Sequence, residues 1–149
     1  MKMLHWLLQT DSSLTGLILR VTLAVVMFPH GAQKVFGWFG GHGFKGTMKS
    51  FTGSGIPTVF ALLAIAAESL GSLALAVGLL TRVAAFGIAC VMLVAIVTVH
   101  RPNGFFMNWE GNQKGEGFEY HLLALAMAIS LMIVGAGAWS LDGALVSSD

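Results

Sequence analysis

The chain has 149 residues, 56% hydrophobic and 10% charged, with a formal net charge of +1. Soluble domains carry about 25% charged residues, so a water-facing surface cannot be covered here, and the mean hydropathy of +0.80 points to an integral membrane protein. A near-neutral chain without a basic run excludes a nucleic-acid partner; one cysteine, Cys90, excludes an internal disulfide, a CxxC pair and a zinc site built on two cysteines.

The opening MKMLHWLLQTDSS has a lysine and a short apolar run, with no Ala-x-Ala-like site before Asp11. It reads as an interfacial amphipathic lead-in, not a cleaved signal peptide. A membrane helix needs roughly 20 mostly apolar residues. Four stretches approach this: Leu14 to Phe39, Pro57 to Leu80, Arg82 to His100 and Phe118 to Trp139. Asp11, Ser12 and Ser13 offer caps for the first, and Pro57 suits the first position of the second. The second and third are joined by Thr81-Arg82 alone and form a tight antiparallel pair. The expected fold is an all-α integral membrane four-helix bundle within a single domain, 1–149, with both termini on one side. Two long linkers rich in glycine and aromatics lie on the other side. Their aromatics, Trp38 among them, read first as interfacial anchors.

Polar residues break into these apolar runs in one region. His30 lies roughly 13 Å in from Phe39, and Glu68 roughly 16 Å in from Pro57, measured from the loop side. Two ionisable groups on adjacent helices therefore share a depth. Lys34 follows His30 by one turn on the same face. His100 ends the third helix on that side, and Glu119 and His121 begin the fourth. A charge near the bilayer centre costs on the order of 3 kcal/mol, so these groups must face the interior, pair, or meet a ligand. Pro29 frees a carbonyl near Val25 and favours a kink beside His30. The competing structural reading is that Glu68 pairs with Lys34 or His30 and fixes the bundle register.

His30, Glu68 and His100 supply N and O donors for a weak metal site, but no HExxH-type motif is present and no tightly bound metal is expected. Glu119 and His121 stand about 200° apart on an ideal helix, so both cannot point inward. Arg20 is expected to snorkel outward or to pair with Asp142. Arg82 reads as the cap of a tight turn. Cys90, Met27, Met92, Met127 and Met132 read as packing or filler.

The segments PHGAQKVFGWFGG, GIP, AAESLGSLALAVGLLTR, VH…NGFF, GFEYHLL and GAGAWSLD, in this order from Gly16 to Leu145, resemble the DoxX family of small bacterial membrane proteins. The resemblance implies a four-helix membrane bundle in the inner (plasma) membrane, multi-pass, and a link to quinone chemistry through the thiosulfate:quinone oxidoreductase and terminal quinol oxidase subunit that gives the family its name. By position it places the family's polar residues on His30, Gln33, Lys34, Glu68, Arg82, His100, Glu119 and Asp142. The bundle is also similar to quinone-linked disulfide-forming proteins, but their cysteine pairs are absent here.

The sequence therefore supports a quinone-linked membrane oxidoreductase or its quinone-binding subunit. His30, Lys34 and Glu68 would exchange protons; Gln33, Trp38, His100, Glu119 and His121 would line the headgroup. No cofactor is identified; a quinone is the candidate. The candidate partners are the lipid bilayer, a redox protein and a second copy of the chain. Two alternatives compete: a non-catalytic assembly or anchor subunit, and a small carrier for a hydrophobic solute.

Overall fold

The computed structural model describes residues 2–147. Helix α1 spans Lys2–Leu8, and Asp11 and Ser13 shape the turn that follows. The Ser13 hydroxyl accepts from the Gly16 amide and caps α2, Leu14–Phe36, which continues unbroken through Pro29. It ends three residues short of the expected Phe39. Gly37 takes a left-handed conformation at φ 75° that a helix cannot continue.

The first long linker is not a plain loop. After a 3₁₀ turn at Trp38–Gly40 it forms α3, Gly43–Gly53, which folds back along α2, with the Thr47 hydroxyl donating to the Lys34 carbonyl at 3.3 Å. Helix α4, Thr58–Val77, turns at Gly78 into α5, Thr81–Ala95. The latter runs on through a π turn at Ile96–His100 and a 3₁₀ turn at Arg101–Asn103. Helix α6 is Glu119–Val134, shorter at both ends than expected; Gly135 at φ 84° stops it at its C-terminal end. A short α7, Leu141–Val146, packs near α1, so both ends of the described chain meet at the same end of the molecule.

Helix α2 packs on α4 and α6, and α5 packs on the same two, closing a ring of antiparallel neighbours. Leu23, Met27, Leu75, Ile88, Met92 and Leu131 fill its centre, and Ala24, Ala85, Ala124 and Ala128 let the backbones close up around them. The outside is apolar as well: Val25, Phe60, Leu63, Leu70 and Ile133 all stand exposed. A surface of this kind belongs in lipid. Leu14–Phe36, Thr58–Val77 and Thr81–Asn103 are each long and apolar enough to cross a bilayer; α6 is equally apolar but has 16 residues. Met27 and Met92 are core, as expected, whereas Cys90 sits on the outer, lipid-facing surface instead of within the packing.

Candidate functional site

Helices α2 and α4 approach closely where Gly31 meets Glu68. A Cβ on Gly31 would lie 2.6 Å from the Glu68 carbonyl oxygen, so the approach requires glycine. This brings the Lys34 ammonium onto Oε2 of the buried Glu68 carboxylate, the one ion pair among the described residues. His30, a turn before Lys34, lies within electrostatic reach of both charges. The depth that helical rise assigns to His30 and Glu68 is thus shared in space. His30 itself stands at the outer edge of the α2–α6 seam.

From His30 a row of rings crosses the seam. Its centroid is 6.1 Å from that of Tyr120 on α6, Tyr120 is 5.2 Å from His121 at 83°, and His121 is 3.9 Å from His100 at 39°. The Tyr120 hydroxyl donates to the Met27 sulfur at 3.6 Å, a weak acceptor. His100 Nδ1 lies 2.8 Å from the Glu116 carbonyl. A carbonyl only accepts, so Nδ1 carries a proton. His121 is buried and its Nδ1 has no hydrogen-bond partner. Sequence reasoning missed Tyr120, the only tyrosine in the chain. A phenol beside a histidine inside an apolar run was the available signal.

Other candidates lie elsewhere. Glu119 turns to the second long loop, where Oε1 accepts from the Met107 amide at 2.8 Å and the Trp109 indole at 3.3 Å. His121, two positions on, faces inward, as the 200° separation requires. Trp38 is exposed and stacks on Phe36 at 5.0 Å, away from the rings. Gln33 donates to the Phe39 carbonyl at 3.2 Å. With Lys34, His42, Thr47, Ser50 and Phe51 it lines a half-open pocket of about 240 Å³ between α2 and α3 that reaches Lys34. His30, Glu68 and His100 do not form a metal-binding group; no set of three His, Cys, Asp or Glu side chains does so among the described residues.

At the opposite end, Arg20 neither snorkels nor forms an ion pair with Asp142. It is buried and gives its five N–H groups to the carbonyls of Leu75, Ala76, Ala136, Ala138 and Trp139, at 2.7–3.1 Å. Helix ends leave carbonyls without intrahelical donors, and a guanidinium in lipid-free space satisfies several at once. Arg82 does likewise. Instead of capping its own turn it bonds the carbonyls of Met132 and Ile133 and those of Trp6, Leu7 and Gln9, with its guanidinium 5.5 Å from the Trp6 ring.

The model of the DoxX family matches residues 15–101, more than half of the chain. This chain belongs to the DoxX family. It is 31% identical over 126 residues to a Bacillus subtilis (strain 168) protein named "Putative oxidoreductase CatD", a match covering 85% of this chain and 83% of that one. No solved structure matches. The DoxX segment carries α2 to α5, and with them the Lys34–Glu68 pair, His30 and His100. Tyr120 and His121 lie on α6, beyond the matched segment, and complete the row from outside it. In this DoxX chain the charged pair and the imidazoles are hydrogen-bonding groups set among apolar helices.

Proposed function

We propose that this DoxX-family chain is a quinone-linked redox protein of a bacterial inner membrane, or the quinone-binding subunit of a membrane oxidoreductase. The observation that carries the reading is the row His30–Tyr120–His121–His100 running from the outer edge of the α2–α6 seam, beside the buried Lys34–Glu68 pair. A quinone needs an apolar slot for its tail and donors at its carbonyls; in this reading the tail lies along the apolar outer faces of α2 and α6, and His30 and Tyr120 supply the donors. Reduction takes up two electrons and two protons. In this reading His30 and Tyr120 meet the headgroup and give up the protons, His121 and His100 relay replacements from the loop side, and Lys34–Glu68 holds the local charge. The electrons come from a redox partner protein, since the chain has no dithiol. Helix α6, about 24 Å long at the usual rise, makes the fourth crossing. The name of the Bacillus relative agrees with redox chemistry.

The test uses purified protein titrated with a short-chain quinone, alongside quinone reduction in membranes. Binding that weakens in His30→Ala, with reduction lost in Glu68→Gln, supports the reading. Absence of binding, with reduction indifferent to both changes, rejects it.

A second reading has its own support. The Lys34–Glu68 pair satisfies both charges without a ligand, and Phe106 and Trp109 stand exposed on the second loop. A non-catalytic anchor subunit would use the pair to set register and those aromatics to dock its partner. It is favoured if Glu68→Gln keeps activity in cells while Phe106→Ser and Trp109→Ser abolish it.

A further inference from the structure

The two long loops differ in charge: the first is net positive, the second is balanced. From residue 35 to residue 67 there is no Asp or Glu, only Lys45, Lys49 and His42; the second loop holds Glu110 and Glu116 against Arg101 and Lys114. Lys45 and Lys49 are four apart, so they share one face of α3, and both are exposed. Neither has a carboxylate partner among the described residues. Helix α3 begins six residues past Gly37, where α2 ends, and packs on the last turns of α2 through Thr47 and Lys34. Around it stand four exposed aromatics, Phe36, Trp38, Phe39 and Phe44. Beside the pocket that reaches Lys34 lies a shallow open depression on the surface, bordered by His42, Lys49 and Ser50. Pocket and depression share His42 and Ser50, and neither has a carboxylate among its lining residues.

From these features we infer that the α2–α3 hairpin is a binding site for the headgroup of an anionic phospholipid. The phosphodiester would take Lys49, His42 and the Ser50 hydroxyl; Lys45 adds a second cation; the aromatics hold the hairpin at the boundary. Interfacial aromatics prefer this depth, and a basic group near an anionic membrane surface contributes about a fivefold gain in affinity. The inference stands apart from the quinone reading, because none of the α3 residues belongs to the ring row.

Delipidated full-length protein in neutral detergent is titrated with short-chain phosphatidylglycerol, with phosphatidylcholine of the same chain length, and with inorganic phosphate. Phosphatidylglycerol is expected to bind, with weakening as salt rises. The double variant Lys45→Gln, Lys49→Gln is expected to lose about 30-fold in affinity, at about fivefold per cation. The charge-preserving pair Lys45→Arg, Lys49→Arg is expected to retain binding, which separates lost charge from lost fold, and Lys114→Gln on the other loop is expected to change nothing. Equal binding of phosphatidylcholine, or a double variant that binds as the parent does, overturns the site. Displacement of the lipid by inorganic phosphate at comparable affinity overturns the lipid assignment and leaves a free-anion site.

Discussion

Arg20 and Asp142 hold the α4–α5 turn from its two flanks. The guanidinium takes the carbonyls of Leu75 and Ala76 at the end of α4; the carboxylate takes the amides of Leu80 and Thr81 at the start of α5, at 2.6 and 2.9 Å. The Asp142 amide in turn donates to the Gly78 carbonyl at 2.8 Å. Each charge thus meets the end of the helix dipole that suits it, positive on carbonyls and negative on amides. The two residues come from α2 and α7, so the turn is fastened to both of these helices.

Arg20→Ala removes all five donors from a buried site. Each orphaned carbonyl costs roughly 1 kcal/mol, and the five together are expected to cost about 5 kcal/mol. Arg20→Lys, with three donors in place of five, should fall between. Unfolding of the purified protein in mixed micelles measures both. A loss under about 1 kcal/mol in Arg20→Ala would mean water reaches those carbonyls and the clamp is dispensable.

What the sequence made legible follows from fixed helical geometry. Rise per residue placed His30 and Glu68 at one depth, and the angular step turned His121 inward and Glu119 toward the loop. Family and membrane class were equally readable. The misses share one cause, partners that only folding assembles. The carbonyls around Arg20 come from the end of α4 and from the segment between α6 and α7. Helix α3 has three glycines in eleven residues, at Gly43, Gly46 and Gly53, and glycine opposes helix by about 1 kcal/mol each; contact with α2 outweighs that. Tyr120 gains its place from His30, far away in the chain.

Gly31 sets the spacing of α2 and α4 at the ion pair. In Gly31→Ala the added methyl would press on the Glu68 carbonyl and on Ser69, with no flexible side chain to give way. Overpacking of this kind costs about 1–3 kcal/mol. Gly71→Ala is the matched control, because its nearest neighbour is 3.8 Å away, an ordinary contact. Gly31→Ala should lower the unfolding midpoint and Gly71→Ala should leave it nearly unchanged; equal effects would show that helix propensity, not close approach, decides.

Lys34 and Glu68 should be strongly coupled. Removing one partner strands a buried charge and costs about 3–5 kcal/mol, whereas replacing both with apolar groups of similar size costs far less. A cycle of Lys34→Met, Glu68→Leu and the double variant is expected to give a double that is more stable than either single. Additive losses would mean that the pocket beside Lys34 supplies enough water to screen the pair.

Tyr120→Phe separates proton handling from packing. The ring stays between His30 and His121; only a hydroxyl whose partner is the Met27 sulfur is lost. The stability change should stay below about 1 kcal/mol. If the phenol passes a proton to a bound quinone, turnover should fall about 100-fold, in the range of a lost general acid, with quinone affinity little changed. His121→Gln should slow turnover without touching binding, because His121 lies one ring further from the seam edge. Full turnover in Tyr120→Phe would remove the phenol from the relay and leave His30 as the sole donor at the headgroup.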